Sequence, residues 1–322
     1  MDGKELRRRV LEVLARRGGY VRGGELAEKL GVSKVAIHRA IVGLRKMGYV
    51  VESHPRRGYR LVSSDNLADA NAVVAGAGRT LRYTAYYVKT CGSTQDVADA
   101  LASQGAEEGT VVVAESMTSG RGRLGRRWFA GPGGLWFTVI LRPQQMKHLQ
   151  LLSLAAGLSV AKSVRGLYGI DARLKWPNDV VVGERKLCGI LVEGKAEADA
   201  LKYLLLGVGV NVNNEVPEGL EGVATSIKEI LGHPVPRLPL LKAILAGLDG
   251  YYAALKRGEP GRVVEEWKTL SSTLGRRVRV SIVGGGVVEG VAVDVTSRGE
   301  LVVQKDTGGR VTVDAGDVEH LR

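Results

Sequence analysis

The sequence predicts an α+β multidomain protein. An N-terminal winged helix-turn-helix is followed by a central mixed α/β domain and a small C-terminal β-barrel. Three observations carry this reading. Positive charge is uneven: residues 1–62 hold 15 Lys and Arg against 6 Asp and Glu, while the remaining 260 residues hold 31 against 28. The spacing of apolar residues is helical at first, mixed in the middle, and alternates over the last fifty residues. Polar or glycine-rich stretches separate these regimes. The expected boundaries are 1–62 for the DNA-binding unit, 63–80 for a linker, 81–273 for the central domain and 274–322 for the barrel.

The first element rests on Leu6, Val10, Val13 and Leu14 at helical spacing, stopped by Gly18-Gly19. Leu26 and Leu30 mark a short second helix ending at Gly31. Ser33 is a good N-cap for a third, in which Ile37, Ala40, Ile41, Leu44 and Met47 form one apolar stripe, with Gly48 as C-cap. A helix, a glycine turn and a helix opening on serine make a helix-turn-helix. Lys34, Val35, His38 and Arg39 lie off the stripe near the start of the third helix, where such motifs face the major groove. In "YVVESHPRRGYRLV" two alternating strands flank Arg56 and Arg57, placed as a basic wing that touches phosphate. A protein-interaction module with a solvated basic face is the alternative. "SSDNLADAN" is small and polar, and is expected to be linker.

The middle alternates strands and helices. "LRYTAYYV", "TVVVAES", "LWFTVIL" and "LKYLLLGVGVNVN" read as strands, "STQDVADALAS" as a helix capped by Ser93 or Thr94, and "LQLLSLAAGLSVAKSVRGLYG" as a long helix. "VVV" and "LCGILVEG", joined by "GERK", form a hairpin. Leu238–Lys256 and Val263–Leu270 are two more helices. Such short connections make the sheet mixed rather than wholly parallel. The last segment reads as evenly spaced short strands, a packing or docking module with no catalytic pair.

Composition narrows the function. The chain of 322 residues has a net charge of +12, two cysteines and five histidines. No apolar run of membrane-spanning length and no signal peptide are evident, so a cytoplasmic protein with no membrane partner is expected. The histidines lack metal-ligand spacing, so no metal held by the protein alone is expected, and Cys91 and Cys188 are expected reduced and free. The chemistry concentrates in "SGRGRLGRRWFAGPGGLWF". Arg121, Arg123, Arg126 and Arg127 share one segment with Gly120, Gly122 and Gly125, which let the backbone approach a ligand closely. Guanidinium forks bind carboxylate and phosphate. The pattern is neither a Walker loop nor a dinucleotide fingerprint, and a second nucleic-acid contact fits its spacing as well as a phosphate site does. Lys175 ends the strand of "LKWPNDVVV", and alternation turns it away from Leu174 and Trp176 toward a cavity. Asn211 interrupts the apolar "GVGVNVN". These residues point to phosphoryl or nucleotidyl chemistry without a protein nucleophile.

"GSTQDVA", "GRGRLGRRW", "KWPNDVVV", "RKLCGILVE" and "GVGVNVN" resemble, in order and spacing, the biotin–protein ligases, and the flanking domains resemble the bifunctional form, the biotin operon repressor and ligase. The resemblance implies a class II synthetase-like central domain, an SH3-like barrel and a two-step reaction. Biotin attacks ATP, with Mg²⁺, to give biotinyl-5'-AMP, and a lysine of biotin carboxyl carrier protein then takes the biotinyl group. It implies catalytic roles for Lys175 and Arg123, Lys175 bridging the biotin carboxylate and the phosphate. Ser93, Thr94, Gln95, Met117, Arg121, Gly122, Arg123 and Lys175 would bind biotin. Arg121, Trp128, Asn178, Lys186 and Asn211 would bind ATP, with Asn178 and Asp179 orienting it or its Mg²⁺. The glycine segment would order on ligand binding to shield the adenylate from water. Operator DNA and a homodimer complete the implied partners. This chain departs from the family pattern at Gln95, where asparagine is usual, at Met117, where glutamine is usual, and at Cys188, where a small apolar residue is usual. A regulator that only senses biotin or its adenylate, and a lipoate–protein ligase, are the alternatives.

Overall fold

The computed structural model describes residues 2–46, 49–61, 66–143, 149–197 and 200–321. Helices α1 (Gly3–Arg17), α2 (Gly23–Leu30) and α3 (Lys34–Lys46) enclose a core of Val10, Leu14, Leu26, Ile37, Ile41 and Leu44. Gly31, at φ 65°, closes α2 and returns its N–H to the α2 carbonyls. The Ser33 hydroxyl accepts from the N–H of Ala36, opening α3 as expected. Met47 and Gly48, expected to finish that helix, and Ser63, Ser64 and Asp65 of the expected linker lie outside the described residues. Strands β1 (Val51–His54) and β2 (Gly58–Leu61) pair as an antiparallel hairpin.

The linker expectation is corrected from Leu67 onward. Residues 67–69 form a 3-10 turn continued by α4 (Ala70–Val74), and Leu67, Ala70 and Val74 are buried in the main core. Their spacing is helical, but the short polar residues between them hide it. The Asp249 carboxylate then accepts from the N–H groups of Arg79, Thr80 and Leu81, which fixes the entry to the sheet.

Next come β3 (Thr84–Cys91), α5 (Thr94–Ser103), β4 (Thr110–Met117), β5 (Leu135–Leu141), α6 (Leu149–Tyr168), β6 (Ala172–Lys175), β7 (Asp179–Val182), β8 (Arg185–Glu197) and β9 (Ala200–Val210). They form one seven-stranded sheet in the order β3-β4-β5-β9-β8-β7-β6. Only β3 and β4 run parallel, so the sheet is mixed as expected. Helices α7 (Ile227–Leu231), α8 (Arg237–Lys256) and α9 (Gly261–Leu270) follow. Alternation along the strands sorts the two faces. Val111 and Val113 join the core of α6, α8 and α9, whereas Val112, Ile140 and Leu205 pack on α5. Of the described helices, α8 alone is long and apolar enough to cross a bilayer, and Leu238, Leu241, Leu245 and Leu248 on it are core residues.

Strands β10 (Arg277–Ile282), β11 (Val287–Val295), β12 (Leu301–Lys305), β13 (Arg310–Val313) and β14 (Gly316–His320) make an antiparallel sheet in the order β13-β12-β11-β10-β14. The expected barrel does not close: β13 and β14 are not paired with each other among the described residues. The last turn instead brings β14 to the central domain.

Candidate functional site

The Arg/Gly segment is an irregular hairpin growing from the end of β4. Met117 bridges Ala130 and Arg121 bridges Arg127, with the N–H of Trp128 on the carbonyl of Gly120 at 2.8 Å. The N–H groups of Thr118 and Ser119 pin its base to Cys91 and Gly92 at 2.9 and 2.8 Å. Glycine is required at 120, where a Cβ would lie 2.5 Å from the Trp128 carbonyl oxygen. At the tip Leu124 takes φ 56°, a left-handed conformation costly for a leucine.

The hairpin covers a cavity of about 310 Å³ on the α5 side of the sheet. Its floor is glycine. Gly207 and Gly209 follow Leu205 on the same face of β9, and Gly189 of β8 is paired with Gly209. The Trp128 indole occupies the space that side chains at 189 and 209 would fill. Lys186 lies over that ring at 5.3 Å, and the indole Nε1 is buried without a hydrogen-bond partner among the described residues. Arg121, Gly122, Arg123, Asn178, Lys186 and Asn211 line the cavity, as do Ser93, Thr94, Gln95 and Met117 at the start of α5 and the end of β4. The structure therefore gathers these ten residues singled out from the sequence, together with Trp128, Arg126, Arg127 and Asp179.

Each of three of these cations meets a carboxylate of the chain. Arg121 pairs with Asp96 at 2.7 Å and Glu193 at 3.5 Å. Lys186 pairs with Asp179 at 2.7 Å. Arg123 donates to the Asn178 Oδ1 and the Gly316 carbonyl, both at 3.2 Å, and approaches Asp317 at 3.7 Å; Arg126 also pairs with Asp317. Burial, helped by the charge of Arg126 and opposed by Asp179, pulls the Arg123 guanidinium below its ordinary value. Asn178 relays Arg123 to the sheet by donating to the Ile190 carbonyl at 2.8 Å. An anionic ligand here exchanges with carboxylates already in place. Sequence reasoning missed Asp317, since an isolated acid in an alternating strand carries no local signal; only the packing of β14 against the hairpin reveals it.

Lys175 does not line the cavity. It ends β6, an edge strand, backbone-paired with the cavity residue Asp179. Its charge instead acts on His320. Burial first, then Lys175, lowers the His320 pKa, although Glu184 stands 3.4 Å from Nδ1 and opposes this. A histidine held neutral by the fold binds its proton less readily than in the unfolded chain. Stability is thus present above the ordinary value of about 6.5 and is lost as pH falls below it. Unfolding midpoints should decline as pH falls below about 6.5, and His320→Gln should flatten that decline.

In the N-terminal unit Lys34, Val35, His38 and Arg39 are all exposed along one end of α3. Arg56 and Arg57 are both exposed in the β1–β2 turn, and the Arg57 guanidinium stacks on the Tyr20 ring at 4.2 Å. The two cysteines are unpaired, Cys188 buried and Cys91 half-buried.

Three family models match along this architecture: an HTH domain over residues 6–60, the biotin/lipoate A/B protein ligase family over 87–211, and the biotin protein ligase C terminal domain over 273–321. The bifunctional ligase/repressor BirA of Bacillus subtilis is 31% identical over 310 residues, covering 94% of this chain and 95% of the relative. The chain belongs to the biotin protein ligase family. Within that family, the biotin–[acetyl-CoA-carboxylase] ligase of Mycobacterium tuberculosis is 38% identical over 77% of this chain and 92% of its own length. The family member from Aquifex aeolicus solved in complex with biotin and ATP superposes with a TM-score of 0.66 at 31% identity, covering 74% of this chain and 98% of its own. The HTH unit, the central ligase fold and the β-rich C-terminal unit of this family member thus all have counterparts.

Proposed function

We propose that the protein is a biotin–[biotin carboxyl carrier protein] ligase that also binds operator DNA as a repressor of biotin genes. The observation that carries this reading is the glycine-floored cavity ringed by Arg121, Arg123 and Lys186, in a chain matching a bifunctional ligase/repressor along nearly its whole length. Two negatively charged reactants, a carboxylate and a triphosphate, need such cations to offset their repulsion and the charge that develops at phosphorus. The biotin carboxylate oxygen attacks the α-phosphorus of ATP and pyrophosphate leaves. The carrier lysine amine then attacks the mixed anhydride carbonyl and AMP leaves.

In this reading Arg121 and Arg123 hold the carboxylate and phosphate. Lys186 and Asn211 meet the nucleotide, and Trp128 packs beside it. Ser93, Thr94, Gln95, Gly122 and Met117 enclose the biotin rings. Lys175 serves as the bridging ammonium, reaching the site past its strand partner Asp179. Mg²⁺ would enter with ATP, held mainly by phosphate oxygens with Asp179 as its protein carboxylate; it would neutralise the leaving pyrophosphate. Asp179 and Asp317 are the two carboxylates lining the cavity among the described residues, which suits a metal bound through its nucleotide.

The β1–β2 hairpin is read as the wing of the DNA-binding unit, with α3 in the major groove and Arg56 on phosphate. The C-terminal sheet is read as an open SH3-like unit. The proposed boundaries are 1–62, 81–273 and 274–322, with 67–80 assigned to the central domain. A helix-turn-helix reads two half-sites as a pair, so a homodimer is part of the proposal.

Incubating the protein with biotin, ATP–Mg²⁺ and a carrier domain tests the reading. The carrier should gain the mass of one biotinyl group, and excess lipoate should not compete. A carrier of unchanged mass, beside a protein that binds biotin, would leave a sensing regulator; a lipoylated carrier would leave the sister ligase.

A further inference from the structure

The Arg/Gly hairpin is gripped from both sides of the sheet. Above the cavity its arginines meet carboxylates in pairs that stay partly exposed. Behind the sheet its return arm ends on a buried ion pair. Glu115 follows Val111 and Val113 along β4, and so turns toward α8. Arg237 opens α8, is 3% exposed, and donates to both Glu115 oxygens at 2.9 Å. The same guanidinium donates to the Gly134 carbonyl at 2.8 Å, and the Glu115 Oε1 accepts from the N–H of Gly133 at 3.0 Å. Neither Glu115 nor Arg237 lines the cavity.

Two more ties run through this foot. The N–H of Asn213 donates to the Gly133 carbonyl at 2.8 Å, and the Asn213 amide is bonded both ways to the backbone of Val235, two residues before Arg237. The Trp136 indole donates to the Gly131 carbonyl at 2.8 Å and stands edge-on to the Trp128 ring at 6.2 Å. The start of α8, the segment after Asn211 and the Trp128 indole thus share one anchor. Packing alone does not call for charge here. Burying two ions costs much of what their attraction returns, and apolar replacements of such pairs often fold as well. What an apolar pair lacks is direction. The planar guanidinium holds Glu115 and Gly134 at set angles, and through them the path of the return arm.

We propose that Arg237 is a positioning residue of the reaction: with Glu115 it fixes the hinge of the Arg/Gly hairpin, so that the hairpin stays closed over the adenylate and keeps water out. The inference rests on the ligase reading above. Its test is the double variant Glu115→Gln, Arg237→Met, in which glutamine can still accept from Gly133 and no charge is left buried alone. The protein is loaded with biotin and ATP–Mg²⁺, freed of both, and the loss of bound biotinyl-5'-AMP is followed without carrier, at a temperature where parent and variant are fully folded. Loss should quicken about tenfold to hundredfold, the penalty typical of a small misplacement at a closed site. A merely structural pair would lower the unfolding midpoint and leave the folded protein's retention unchanged. Should the double variant not fold, Arg237→Lys carries the same comparison, since it keeps the charges paired but lacks the fork. Loss quickened by less than tenfold overturns the proposal. A parent protein that forms no adenylate removes the ligase reading as well, whereas a parent that forms it and a variant that holds it equally long remove this inference alone.

Discussion

Arg123→Ala lowers biotin-dependent adenylate formation by about two to three orders of magnitude, the loss typical of removing one preorganised donor from a developing oxyanion. Arg123 is the most enclosed of the loop arginines that form ion pairs here, and it is held from two domains at once, by Asn178 of the central sheet and by the Gly316 carbonyl and Asp317 of β14. Such fixing means that little reorganisation is needed when the phosphate arrives. Rapid-quench measurement of adenylate in a single turnover checks the prediction. The second step should be nearly unaffected when preformed biotinyl-5'-AMP is supplied with carrier. A fall of similar size in both half-reactions would mean that the hairpin as a whole had lost its shape.

Lys175→Met is expected to slow the same step by about two orders of magnitude while leaving the unfolding midpoint close to the parent value. This substitution separates two pictures of the site. Lys175 stands outside the cavity, paired through the backbone with Asp179, while Lys186 is the ammonium within it. If the reactants draw Lys175 inward, its loss is severe and falls on kcat more than on the KM for ATP. If Lys186 alone supplies the ammonium, Lys186→Met carries that loss and Lys175→Met is nearly silent. Single-turnover rates for both variants, side by side, decide between them.

Much of this arrangement was legible in the chain because its signals are local. Ser33, Gly31 and the Ile37–Ile41–Leu44 stripe define the helix-turn-helix through capping and period, and they stand as the sequence implies. Alternation and short turns predicted the mixed sheet, and the glycines of the basic segment predicted close backbone approach. What escaped depends on packing between distant segments. The helix at Ala70–Val74 is too short and too polar outside to declare itself, and becomes evident only against the core and Asp249. Asp317 is one acid in a strand, given meaning by two arginines nearly two hundred residues away. Lys175 shows the reverse error: its position at a strand end was read correctly, but alternation fixes a face of the sheet and not the cavity that face opens on.

The account depends on cations of the hairpin and of β8 meeting two anions in one cavity to make an adenylate. Isotope exchange between pyrophosphate and ATP reports that step without any carrier protein. Exchange should require biotin and should drop by about two to three orders of magnitude in Arg123→Ala. No exchange in a parent protein saturated with biotin and ATP–Mg²⁺, or exchange undiminished without Arg123, would contradict it.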